Sequence, residues 1–285
     1  MYTDLLLNYV ANGAEGGSVF TSPQNKSVFA AALYFRKLLA VDVNPPIFII
    51  FELPLFVPAL LRYLFCPCSN ALQLEVAWIL TNIACGSSKE VAYLLSCSID
   101  LPTVDPPGSI EVVPPRRGNL VNILHYLLRR QVVCPFGSIN AIEALRDHLL
   151  WLLGNLTADS ITTRIVVLNN SISAGSTAVE VTNPVGGDSA IAIPADPFPP
   201  GGIVQVLLQM VGIEGNTLRV DSKLIASLST MRTLVWIFNN LSRDLMVDPG
   251  GELRRSLLTP DQVLGVCSML SLLTTSPDDE LLLDW

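Results

Sequence analysis

Trp78 and Asn82, Trp151 and Asn155, and Trp236 and Asn240 place an asparagine four residues after a tryptophan three times in one chain. Each pair lies in a similar apolar stretch: EVAWILTNIACGSS, DHLLWLLGNLTADS and TLVWIFNNLSRD. On an α-helix four residues is just over one turn, so the two side chains leave from neighbouring points of one face. The face of an indole attracts a cation, and an amide offers a peptide backbone both a donor and an acceptor. A ladder of such pairs suits an extended, positively charged peptide. An isolated tryptophan at helical spacing is more often core than platform. A purely structural repeat, however, has no need of the same amide three times on an apolar face. Each amide left unpaired there would cost about 1–3 kcal/mol.

Other chemistries find little support. No phosphate loop, nucleophile elbow, H-E-x-x-H motif or paired-carboxylate arrangement occurs, so neither an enzyme nor a cofactor is expected. Six cysteines (Cys66, Cys68, Cys85, Cys97, Cys134 and Cys267) form no C-x-x-C and no disulfide framework. Cys66 and Cys68 are too close for a zinc half-site, and His125 and His148 do not complete one, so no metal is expected. Reduced, mostly buried thiols are the simplest account. Asp278, Asp279 and Glu280 follow a Ser-Pro and read as the start of a helix, where carboxylates suit the dipole. Arg116–Arg117 and Arg254–Arg255 read as solvated charges; the first pair, on a long insertion, has a minority reading as a weak internal mimic of a basic ligand.

The chain has 285 residues, 50% of them hydrophobic, enough for a sizeable core. Its net charge of −8 disfavours nucleic acid and anionic membrane surfaces and is compatible with basic partners. A mean hydropathy of +0.48 raises the question of a membrane span. The strongest candidate, PIFIIFELPLFVPALLRYLF (Pro46 to Phe65), carries Glu52, Arg62, Pro54 and Pro58. The prolines predict two buried helices meeting at the break rather than a lipid span. The start MYTDLLLNYV lacks the basic region of a signal peptide, and the sequons at Asn25, Asn155 and Asn240 argue little for secretion, two of them lying inside periodic helices.

The elements that position the pairs are helical. LEVAWILTNIAC, RDHLLWLLGNLT and TMRTLVWIFNNLS read as long helices, preceded in two cases by shorter ones, NLVNILHYLLRR (Asn119 to Arg130) and GIVQVLLQMV (Gly202 to Val211). The tryptophans recur at intervals longer than the roughly 40–47 residues of an armadillo or HEAT unit. The excess lies in two stretches without helical period: a proline-rich insertion, 100–118, and a Gly/Pro/Ser-rich insertion, 170–201. Both read as loops, the second with alternating runs that could form a small hairpin. Stacked units of this kind bury one helical face and line a concave surface with the long helices.

Taken in order, these segments resemble importin-α (karyopherin-α), the armadillo-repeat adaptor family of nuclear import. FRKLLAVDVNPPI (Phe35 to Ile47) resembles the family's first-repeat R-K-L-L-S-x-x-x-x-P-P-I. LEVAWILTNIACGSS is similar to its second-repeat A-W-x-L-T-N-I-A-S-G-T-S, LLWLLGNLTADS to its third-repeat V-W-A-L-G-N-I-A-G-D-S, and LVWIFNNLSRD to its fourth-repeat T-W-x-L-S-N-L-C-R. The resemblance runs from about Phe29 to the C-terminus outside the insertions. It implies a single all-α, right-handed armadillo superhelical solenoid over 1–285, about four repeats plus a partial fifth.

The resemblance also implies a site. Trp78, Trp151 and Trp236 would receive the stems of a ligand's Lys or Arg residues, and Asn82, Asn155 and Asn240 would each bond its backbone N–H and C=O. Asp159 would take the most critical lysine, Gly86 and Ser87 would present backbone, and Arg243 ends the fourth-repeat motif. His148 stands where glutamine is usual and would oppose a basic ligand if protonated; Val91 stands where threonine is common. The implied function is non-enzymatic recognition of basic nuclear-localisation peptides for import, in cytoplasm and nucleus, without nucleic acid or membrane. The alternative is an armadillo scaffold for a signalling or cytoskeletal partner without transport. No basic importin-β-binding segment is visible in Met1 to Val28, which leaves an importin-β partnership open, and the ending LLLDW leads us to expect a fragment or a short divergent product with a frayed end.

Overall fold

Asn70–Ala84 shows how local chemistry sets the helices. Ser69, in extended conformation, accepts from the Leu72 N–H at 3.3 Å and so starts the helix. Leu72, Val76, Ile79, Leu80 and Ile83 then bury one face. The computed structural model describes residues 23–65, 69–100, 117–133, 139–169, 202–211, 213–214, 217–218, 228–243 and 264–265. The chain divides into two units, Met1–Leu156 and Thr157–Trp285.

The first unit opens with α1 (Pro23–Leu39), whose Val28, Ala31, Ala32, Phe35 and Leu39 are buried at three- and four-residue spacing. The small pair Ala31–Ala32 lets it approach α4 (Asn70–Ala84), against which it packs. Between them Asn44 takes a left-handed φ of 49°, tolerable for asparagine, just before Pro45 and Pro46. Then come one turn, α2 (Ile49–Glu52), and α3 (Phe56–Phe65). The break falls at Pro54, as the prolines predict, and Pro58 sits in the first turn of α3, where its missing N–H costs nothing. Nearly all of α3 is buried, and Gln73 of α4 donates its side-chain amide to the Leu64 carbonyl at 2.7 Å, satisfying a helix-end acceptor. Among the described residues no helix is long and apolar enough to cross a membrane.

Next is a second short helix, α5 (Ser88–Ser96). Residues Ser98–Asp100 (β1) and Arg117–Asn119 (β2) then pair antiparallel, with Ile99 opposite Gly118. This ribbon differs from the expectation of a plain loop over 100–118: both ends of that stretch are strands, and residues 101–116 lie outside the described residues. Helix α6 (Leu120–Val133) starts from a reciprocal cap. The Asn122 N–H donates to Asn119 Oδ1 at 3.1 Å and the Asn119 N–H to Asn122 Oδ1 at 3.0 Å. His125 on α6 is 1% exposed. Burial, and secondarily the charge of Arg129, lowers its pKa to about 4. Helix α7 (Ile139–Asp159) crosses the boundary between the units in its last turn.

In the second unit Ser160 caps α8 (Ile161–Asn169), and buried Arg164 donates to the Thr157 carbonyl at 2.9 Å. Helix α9 (Gly202–Met210) packs against α8 and is buried almost all round. A short hairpin, β3 (Ile213–Glu214) with β4 (Thr217–Leu218), precedes α10 (Leu228–Ser242). Among the described residues the helices from α2 to α10 form three triplets in chain order, each ending in a long member that carries a tryptophan–asparagine pair: α4, α7 and α10. Both insertions fall between the first and second helices of a triplet. The stretch 170–201 and the ending LLLDW lie outside the described residues, as do most of Met1 to Val28 and Cys66, Cys68, Cys134 and Cys267. Cys85 is exposed rather than buried, and Cys97 half-buried.

Candidate peptide-binding site

In the first unit the sequence-predicted pairs come together through one aromatic cluster. The His148 ring lies 4.9 Å from that of Trp78 and 6.1 Å from that of Trp151, the latter edge-on at 83°. The Arg36 guanidinium lies over the Trp78 ring, 4.4 Å from its centroid. Its Nε is 2.5 Å from Glu75 Oε2. Three helices, α1, α4 and α7, thus contribute a cation, an indole, an imidazole and a second indole. Trp151 is 53% exposed, and its surface is the open one.

His148 Nδ1 lies 2.9 Å from the Ala144 carbonyl. A carbonyl only accepts, so in the neutral ring Nδ1 carries the proton and Nε2 the lone pair. Nε2 is buried and has no hydrogen-bond partner among the described residues.

The asparagines do more than face a ligand. Asn82 Nδ2 reaches the Arg36 carbonyl at 3.5 Å, a weak bond. Asn155 Nδ2 donates to the Thr81 carbonyl at 3.3 Å and to Cys85 Sγ at 3.1 Å. Arg36 and Thr81 hold equivalent places, each the first of the last four carbonyls of its helix, which have no partner within the helix. Each asparagine therefore caps the end of the preceding long helix. Asn155 commits both amide protons in this way and keeps only Oδ1 for a peptide; Asn82 keeps one proton and Oδ1. The expectation of two-handed backbone binding by each amide is reduced accordingly.

Gly86 and Ser87 are set by the α4–α5 corner. A Cβ at Gly86 would meet the Ile83 carbonyl at 3.0 Å, Glu90 Cβ at 3.2 Å and Ile47 Cγ2 at 3.3 Å. Ser87 caps α5 by accepting from the Lys89 N–H at 3.3 Å, and its hydroxyl donates to Glu90. Val91 is fully buried. Although Cys85 is exposed, partial desolvation of its thiol raises its pKa above the ordinary value, so it stays protonated beside Asn155.

In the second unit Asp159 accepts from Thr163 Oγ1 at 3.0 Å, and Ser160 Oγ lies 2.9 Å from the same hydroxyl. The carboxylate is thus half-buried at the α7–α8 corner and already engaged by a donor. Trp236 is half-buried, whereas Asn240 is 0% exposed and its Oδ1 accepts from Arg243 Nη2 at 3.0 Å. The described conformation gives the Asn240 amide no open face. The exposed neighbour is Asn239.

Sequence reasoning missed Arg36, Glu75 and Asn239. The first two come from different helices, so no local spacing joins them. The Asn239–Asn240 doublet was a readable signal that either could face outward.

No protein-family model matches the chain. Over 130 residues it is 28% identical to importin subunit alpha-6 of Arabidopsis thaliana, covering 46% of this chain and 18% of that protein. It is 26% identical over 141 residues to the probable importin subunit alpha-A of Dictyostelium discoideum, covering 50% and 20%. With importin subunit alpha-B of the same organism it shares 38% identity over 61 residues, covering 21% and 12%. The matches therefore span at most 20% of these relatives' own length. Among solved structures, a designed armadillo repeat protein superposes with a TM-score of 0.40 at 14% identity, over 99% of this chain and 94% of that one. Another, in complex with the peptide (KR)4, gives 0.41 at 12% identity over the same shares. The sequence is similar to importin-α subunits at modest identity over at most half of the chain, and the described fold is mainly helical.

Proposed function

We propose that this divergent importin-α-like chain is a non-enzymatic adaptor that binds an extended basic peptide on the face formed by α4 and α7. The observation that carries the reading is Trp151, a half-exposed indole one helical turn from an amide whose Oδ1 accepts no bond among the described residues. A lysine or arginine stem laid on that indole would contribute about 0.5–2 kcal/mol. A peptide N–H would donate to Asn155 Oδ1 and hold the backbone extended. The net charge of −8 favours the approach of a basic ligand. The finer reading is that the ligands are nuclear-localisation signals and that the protein works in import between cytoplasm and nucleus, with importin-β as a receptor.

The second reading, an armadillo scaffold for another partner, draws on the engaged positions. Arg36 already lies on Trp78, and Asn240 is buried. Calorimetric titration of a Lys-Lys-Ala-Lys peptide, beside pull-down of importin-β, separates the two. Binding that falls at least about threefold in Trp151→Ala supports the peptide site. Absence of binding to wild type, with the fold intact by circular dichroism, sinks it and promotes the scaffold.

A further inference from the structure

Two of the chain's own groups already contact the indole of Trp78. The Arg36 guanidinium is 4.4 Å from the ring centroid, and the His148 imidazole 4.9 Å. Both are held in place. Arg36 is ion-paired at 2.5 Å to Glu75, which lies three residues before Trp78 on the same helix. His148 is oriented by the Ala144 carbonyl and touches Trp151 as well. A planar guanidinium stacks on an aromatic ring better than an ammonium does. Being tethered, Arg36 pays none of the association entropy that an incoming side chain must pay. A guest lysine competing for this indole would therefore have to displace a better-suited resident and leave Glu75 unpaired.

We infer that the Trp78 position is self-occupied: Arg36 takes the place of a guest cation there, His148 fills the gap towards Trp151, and a bound peptide's cationic side chain is received on Trp151. This rests on the peptide-binding reading above and deepens it, because it makes Arg36 and His148 the residues that set how many basic side chains the first unit accepts. A peptide with basic residues spaced for both indoles gains nothing from the one facing Trp78.

Indole N–H signals in a 15N-labelled sample test this directly, since the chain has only four tryptophans and each can be assigned by a Trp→Phe substitution. On titration with a Lys-Lys-Ala-Lys peptide, the Trp151 signal of the wild type should shift and that of Trp78 should not. In Arg36→Ala, and in Glu75→Gln, which frees Arg36 without removing it, the Trp78 signal should begin to respond. Affinity should then rise about 3- to 30-fold. A Trp78 signal that moves in step with Trp151 in the wild type would overturn the inference and leave the peptide site standing. A Trp78 signal that stays still in both folded variants would also overturn it. No shift at any indole would sink the peptide-binding reading itself and the guest assignment with it.

Discussion

At the scale of single residues, polar groups here carry two duties, and each can be measured. Asn155 holds the end of α4 through Thr81 and Cys85 while offering Oδ1 outward. Asn155→Ala should therefore cost about 1–2 kcal/mol of stability by urea unfolding, apart from any loss of peptide affinity. An unchanged midpoint would mean the amide has no structural part. His125 reports chiefly on burial, with a smaller part from the charge of Arg129. Its pKa of about 4 in the fold lies below the ordinary value near 6.5, so the folded state binds its proton more weakly than the unfolded chain does. Its contribution is present above about pH 6.5 and is lost as the pH falls towards 4, amounting to about 3 kcal/mol. Urea midpoints measured between pH 7 and 4 should fall in wild type and fall less in His125→Leu; parallel curves would refute the assignment. The tryptophan–asparagine spacing was legible because both partners sit on one helix. Arg36 over Trp78 was not, because only packing of α1 on α4 brings those two residues together.

At the scale of elements, the helices were readable and the strands were not. Apolar period, Ser69 as a cap and Pro54 as a break each act within a few residues, so α3, α4 and α6 follow from local pattern. The β1–β2 ribbon depends on pairing Asp100 with Arg117 across a long stretch, and three residues per strand leave no alternating signature. That register makes a prediction. Asp100 and Arg117 face each other, so replacing residues 101–116 by Asn-Gly should close the ribbon with a two-residue turn. A loop about eightfold shorter costs less entropy to close, so stability should stay the same or rise by up to about 2 kcal/mol. A loss of several kcal/mol on chemical denaturation would show that 101–116 packs as part of the fold. The expectation of a loop covered 100–118 and so took in Asp100, Arg117 and Gly118, which pair as strands.

At the scale of the whole molecule, the net charge of −8 and the local contacts act over different ranges and should separate in kinetics. Cation–π contact on Trp151 and a hydrogen bond to Asn155 Oδ1 form only once a peptide has docked, so they govern how slowly it leaves. The excess of carboxylates acts across several ångströms of water and governs how fast it arrives. Salt shortens that reach from about 14 Å at 0.05 M to about 4 Å at 0.5 M, while contacts in the docked state are screened far less. For a fluorescently labelled Lys-Lys-Ala-Lys peptide mixed by stopped flow, raising salt over that range should slow association about tenfold and change dissociation little. Trp151→Ala should do the reverse, speeding dissociation about three- to tenfold with association nearly unchanged. An association rate indifferent to salt would show that the acidic charge has no part in drawing the peptide in. Binding would then rest on the Trp151 and Asn155 contacts alone.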